Sequence, residues 1–167
     1  ARGYVTYDDD SQLFSLSPEQ AAVFARENEP TCIQGLIQGV VGQFVNQDIA
    51  IDVFKTGRGR PWGEHHECCF CGTERFFRPA YATHLLEEWI PALEGVEEKL
   101  RNGAKVADIG CGLGTSSILM AENFPNSIIH AYDFHAPSIE EARKRAESKG
   151  LENLEFFVAD AADIRNE

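Results

Sequence analysis

The run from Asp108 to Gly114 (DIGCGLG) places glycines at three alternate positions, with a carboxylate two residues before the first. Glycines permit positive φ and let a ligand touch the backbone. A helix expected to open near Thr115 would present unsatisfied N–H groups and the positive end of its dipole, which suits a carboxylate-bearing or anionic ligand. Asp133 follows Gly114 by 19 residues. An ionised carboxylate there can accept two hydrogen bonds from the vicinal hydroxyls of a ribose. Phe134, beside it, offers a face to a purine. Further on, Asp160 can accept from an exocyclic amino group, and the N–H of Ala161 can donate to a ring nitrogen. The three features together specify an adenosine-bearing cofactor.

These residues need a scaffold that brings them to one edge. Residues 105–109 (KVADI) read as a short buried strand, 115–123 as a helix and 127–132 as a second strand. Residues 137–149 form a second helix ended by Gly150, and 154–158 form a third strand. Strand, helix, strand, helix, strand at this spacing predicts a parallel sheet with right-handed crossovers. The fold class is therefore α/β, a Rossmann-like doubly wound sheet. Only its first three strands are present, so the sheet is expected to be truncated. The carboxyl ends of such strands are where open α/β folds bind ligands, and Asp133 and Asp160 both fall there.

Two cofactor classes compete for this arrangement. Dinucleotide dehydrogenases use G-x-G-x-x-G. Here the glycines are Gly110, Gly112 and Gly114, alternate positions that depart from the dehydrogenase spacing. At this point the sequence resembles the class I S-adenosylmethionine-dependent methyltransferases, whose first motif has the form acid-x-G-x-G-x-G. The resemblance covers residues 105–165. It implies S-adenosyl-L-methionine as cofactor, with Gly110, Gly112 and Gly114 near its methionine part and Asp108 orienting the loop. It implies further that Asp133 holds the ribose, and that Asp160 and Ala161 flank adenine. Residues 3–104 are similar, more loosely, to the group with an N-terminal winged-helix-like domain, in which the acceptor pocket lies between a helical region and the sheet. No catalytic residue can be named from these residues, because the later strands usually shape the acceptor pocket.

The N-terminal part reads as a hairpin over residues 3–16, turning at Asp8–Ser11. A helix follows from Ser17, whose SPEQ run supplies an N-cap, a first-turn proline and a capping-box glutamine. From Thr31 to Phe54 apolar residues recur at helical spacing, so one long helix is expected. Gly35, Gly39 and Gly42 lie near one face of it and admit another helix closely, with interdomain or intersubunit packing as the expectation. Residues 55–63 form a glycine-rich loop holding Trp62, a candidate lid. Residues 65–71 (HHECCFC) contain zinc-like Cys68-x-x-Cys71 spacing without a second ligand pair, so a loop with incidental thiols and no metal is expected. Helical patterns follow over 81–89 and 93–100. The chain thus divides into residues 1–103, a winged-helix remnant with a helical dimerisation or substrate-cover region, and 104–167, the first half of a cofactor-binding domain.

Composition sets outer limits. Apolar residues make up 43% and charged residues 25%, which predicts a packed core. The net charge is −12, with Lys55–Arg60 a locally basic stretch. Such a surface repels phosphate backbones and anionic lipid, which argues against nucleic acid and membrane partners. Five cysteines without a framework spacing suit reduced thiols and a cytoplasmic location. The absent initiator Met suggests a start partway through a longer protein. The expected activity is methyl transfer to a small-molecule acceptor, in a homodimer, with the isolated chain inactive. The alternatives are a non-catalytic cofactor-binding or assembly protein of the same fold and, further off, an NAD(P)-dependent oxidoreductase.

Overall fold

Strands β1 (Thr6–Asp8) and β2 (Leu13–Ser15) form an antiparallel hairpin in which Tyr7 faces Phe14. Asp8 Oδ1 closes the turn by accepting from both the N–H and the hydroxyl of Ser11. Helix α1 (Pro18–Phe24) opens on the expected capping box: Ser17 Oγ accepts from Gln20 N, and Gln20 Oε1 accepts from Ser17 N at 2.8 Å. The computed structural model describes residues 3–164. Residues 1–2 and 165–167, the outermost of the two expected domains, lie outside the described residues. The chain divides into two compact units, one from Ala1–Gly59 and His65–Pro79, the other from Arg60–Glu64 and Ala80–Glu167.

In the first unit the expected single helix over 31–54 is two, α2 (Gln34–Val45) and α3 (Gln47–Thr56). Asn46 interrupts them at φ −109° and ψ 26°; asparagine competes for backbone hydrogen bonds and favours helix ends over interiors. Residues 65–71 differ more from expectation. From Glu67 on they are not a loop: helix α4 (Glu67–Ala80) takes in all three thiols of the segment. It is also the helix that the α2 glycines admit, so their close packing is internal to this unit. A Cβ on Gly72 of α4 would lie 2.8 Å from Gly39 Cα, and one on Gly42 would lie 2.6 Å from Cys69 Sγ. Cys69 is buried in this crossing and Cys71 is exposed.

Arg75 ties the crossing together, donating to Glu27 Oε1 at 2.7 Å and to the side-chain oxygens of Gln34 and Gln38. Arg78 Nη2 reaches the same Glu27 oxygen at 2.8 Å. The other side of α2 is a stripe of exposed apolar side chains: Leu36, Ile37, Val40, Val41, Phe44 and Val45. Among the described residues, no helix is long and apolar enough to cross a membrane.

In the second unit, a π-helix (Tyr81–Trp89) continues from α4. It starts after Pro79, which has no N–H to donate, and the widened pattern shows in the Ile90 N–H bonding to Leu85 O. Helix α5 (Val96–Asn102) then leads to β3 (Lys105–Ile109), α6 (Thr115–Asn123), β4 (Ile128–Asp133), α7 (Ala136–Ser148) and β5 (Leu154–Val158). The sheet is parallel with order β3-β4-β5. Alternation along β4 sends Ile129 and Ala131 inward, where neither is exposed at all. Ala131 meets Ile118 of α6, Ile139, Ala142 and Ala146 of α7, and Phe156 of β5. The α7 residues recur at helical spacing, so one stripe of that helix is sealed against the sheet. Ile90, Leu100 and Phe124 form a second buried cluster.

Asn153, just before β5, locks the lower end of the sheet. Its Nδ2 lies 3.1–3.3 Å from the carbonyl oxygens of Ala121, Phe124 and Ser127. Ser127 Oγ adds a bridge, donating to Leu100 O at 2.6 Å and accepting from Ala104 N at 3.0 Å.

Candidate functional site

The turn between β3 and α6 is built from left-handed glycines, and they serve two different purposes. Gly110, Gly112 and Gly114 have φ of 78°, 55° and 76°, a region that costs a side-chain-bearing residue strain. At Gly110 and Gly112 a Cβ would meet nothing within 4 Å, so their Cα sides face open space that a ligand can approach. At Gly114 a Cβ would fall 2.7 Å from Phe156 Cζ and 3.0 Å from Ala142 Cβ. That glycine lets the turn pack on the core.

The amides of the turn are engaged within the protein. The N–H groups of Gly110 and Cys111 both donate to Tyr132 O, at 2.8 and 3.0 Å, and Gly114 N donates to Cys111 O. Gly112 N donates to Asp133 Oδ2 at 2.9 Å. The turn is therefore clamped to the end of β4 by both backbone and side chain.

Asp108 faces the first turn of α6. Its Oδ2 accepts from Ser116 Oγ at 2.7 Å and from Ser117 Oγ at 2.6 Å. A carboxylate at a helix N-terminus is favoured by the dipole, and here it also fixes where the helix starts.

Asp133 closes β4 at the carboxyl edge. Its Oδ1 accepts from the N–H of His135 at 2.8 Å, a turn of the kind that aspartate makes with the N–H two residues on. Each carboxylate oxygen thus holds one internal hydrogen bond and retains a further lone pair. Phe134, between Asp133 and His135, is 55% exposed. At the neighbouring strand end, Ala159 N donates to Asp133 O at 3.0 Å, which draws β5 against β4. Asp160 Oδ1 accepts from Ala162 N at 2.9 Å, and Ala161 is exposed. The structure therefore brings Asp133, Phe134, Asp160, Ala161 and the glycine turn to one edge of the sheet.

Cys111 lies in the middle of this turn and is buried. Burial, and after it the carboxylates of Asp108 and Asp133, push its thiol up to about 12. It stays protonated near neutral pH and is no nucleophile. Among the described residues, no group of three or more His, Cys, Asp or Glu is placed to hold a metal ion.

Three connections were not visible in the sequence reading: the two serine hydroxyls on Asp108, the His135 N–H on Asp133, and the approach of Gly63 to the His135 ring. The second had a local signal, an aspartate three residues ahead of a helix start. The third joins residues 72 positions apart and had none.

Comparison with known proteins falls on the segment that builds this edge. Residues 100–167 match the family model described as a methyltransferase domain. Aklanonic acid methyltransferase DauC of Streptomyces sp. (strain C5) is 42% identical over 60 residues, covering 35% of this chain and 27% of that protein. Ribosomal protein L11 methyltransferase of Caldanaerobacter subterraneus subsp. tengcongensis is 33% identical over 81 residues, covering 48% of this chain and 26% of its own length. The chain spans about a quarter of the length of these curated relatives. Among solved structures, a candidate O-methyltransferase from Nostoc punctiforme PCC 73102 aligns over 96% of this chain and 48% of its own. Its TM-score is 0.58 at 18% identity, a likeness of fold. The α/β Rossmann-like class expected from the sequence is the one observed, and the methyltransferase-domain match rests on the residues that form the candidate site.

Proposed function

We propose that this chain carries the cofactor-binding part of an S-adenosyl-L-methionine-dependent methyltransferase that acts on a small-molecule acceptor. The observation that carries the reading is the joining of Asp133 to Gly112 of the glycine turn. It fixes a carboxylate with spare lone pairs beside two glycines whose Cα sides are open. Those residues fit the cofactor: the open glycines admit its methionine part, Asp133 receives the ribose hydroxyls, and Phe134, Asp160 and Ala161 flank the purine.

The cofactor supplies a methyl group activated on a sulfonium. The chain's own residues bind and align, which carries much of the barrier reduction in an in-line displacement. Asp108 fixes the start of α6 through Ser116 and Ser117, and so holds the glycine turn in place. Gly114 seats that turn on Phe156. The net charge of −12 supports a small molecule over a polyanionic acceptor.

The division at residues 103 and 104 into a cover region and a cofactor domain belongs to this proposal, as does membership of the group with a winged-helix-like N-terminal domain. The β1–β2 hairpin beside α1 supports the latter. A homodimer is supported by the exposed stripe on α2, in a stretch from 30 to 47 without a charged residue. A cytoplasmic location suits the free thiols.

The glycine spacing speaks against a dinucleotide, since Thr115 stands at the place of the glycine that eases helix packing near a pyrophosphate. The test is calorimetric titration of the protein with S-adenosylmethionine, S-adenosylhomocysteine and NADH, alongside Asp133→Ala. Binding of the two sulfur compounds, lost in the variant and absent with NADH, is the expected outcome. Heat with NADH alone would overturn the reading. Binding without methyl transfer to any acceptor would leave a cofactor-binding protein.

A further inference from the structure

Residues 60–64 leave their sequence neighbours. Gly59 and His65 belong to the first unit, while Arg60–Glu64 packs with the second. The segment closes on itself: Glu64 N donates to Pro61 O at 3.0 Å and Arg60 Nη2 donates to Glu64 O at 2.9 Å. Its seat is His135. A Cβ on Gly63 would lie 3.5 Å from Cδ2 and 3.8 Å from Nε2 of that ring.

His135 is itself fixed from two other directions. Its Nδ1 shares a hydrogen bond with Ser138 Oγ at 2.7 Å, and its N–H donates to Asp133 Oδ1 at 2.8 Å. One residue therefore faces Arg60–Glu64 with its ring, bonds the first turn of α7 with Nδ1, and bonds the candidate ribose acid with its backbone. Trp62 precedes Gly63 in the same segment.

The geometry points to Arg60–Glu64 as a wall of the cofactor site, contributed from outside the sheet, with His135 as the positioning residue that couples this wall to Asp133. The inference rests on the cofactor reading above and extends it. The site is completed by a segment that the β-α-β core does not contain, and Trp62 adds an aromatic surface to it. Fixing the wall through His135 limits the orientations open to a bound adenosine.

The chain has two tryptophans, Trp62 and Trp89, so Trp89→Phe leaves Trp62 as the single reporter. On titration with S-adenosylhomocysteine its emission should change and saturate at the concentration that calorimetry gives. Gly63→Val should weaken binding about tenfold, because its methyl groups overrun the His135 ring. In a His135→Ala background the same change should cost less than about twofold, since the ring it displaces is gone; coupling between contacting residues has this signature. Circular dichroism checks that each variant is folded. Unmoved Trp62 emission at calorimetric saturation would overturn the wall and leave the cofactor reading intact, as would additive effects of Gly63→Val and His135→Ala. Absence of heat with the parent would overturn the cofactor reading itself, and the wall with it.

Discussion

The Asp133 carboxylate reaches across from the end of β4 to accept the Gly112 amide at 2.9 Å, so acid and glycine turn form one unit. Asp133→Asn keeps the shape but replaces one acceptor oxygen with an NH2 group. Either Gly112 N–H or His135 N–H then faces a donor. Binding of S-adenosylhomocysteine should weaken by about tenfold to a hundredfold, the cost of leaving a polar group unpaired. Calorimetry measures it, and parent-like affinity would remove Asp133 from the site.

The glycines of the turn should separate by stability. Gly110→Ala meets open space and carries only the cost of its positive φ, about 1 kcal/mol. Gly114→Ala adds a collision with Phe156 to the same backbone strain, so about 3 kcal/mol or more is expected. Urea denaturation followed by circular dichroism ranks the two, and equal losses would contradict the packing role of Gly114.

A similar contrast holds at the α2–α4 crossing. The Cα of Gly39 has open space on its Cβ side, whereas Gly72 lies against the Gly39 backbone. Gly39→Ala should stabilise the protein by up to about 1 kcal/mol through helix propensity. Gly72→Ala should destabilise it by about 1–3 kcal/mol through overpacking. Thermal melts give both signs.

Glu27 provides a pH dependence. The hydrogen bond from Arg75, then the charges of Arg75 and Arg78, hold its carboxyl below the ordinary 4.5. A group whose folded value is depressed contributes stability above its unfolded value and loses it as pH falls through the folded one. Parent stability should therefore fall more steeply below about pH 4.5 than that of Glu27→Gln, while the variant is less stable at neutral pH. Denaturation midpoints between about pH 3 and 7 test this, and parallel curves would assign the network no role.

The second unit was legible because its signals are local. Residues 154–158 read as a strand and form β5 with the same bounds, since apolar residues run between a turn and the sheet edge. The glycine turn, Asp133 and Asp160 followed from strand ends alone. Helix α4 was not legible because the face it turns to α2 includes Cys69 and Gly72 in place of large apolar residues, so periodicity is silent. The α2–α3 break was hidden for the opposite reason: apolar spacing runs on through Asn46. Contacts such as Gly63 with His135 depend on where a distant segment is carried, and no local pattern encodes that.

Asn153 gives the sheet a means of rejecting wrong alignments. A strand displaced by one residue moves about 3.3 Å, enough to pull Nδ2 off Ala121, Phe124 and Ser127 together. The same slip would turn Phe156 to the opposite face and leave Gly114 without the ring it packs against. An error at the bottom of β5 is therefore felt at the top, where the glycine turn sits. Asn153 thereby proofreads strand register for a site at the other end of the sheet.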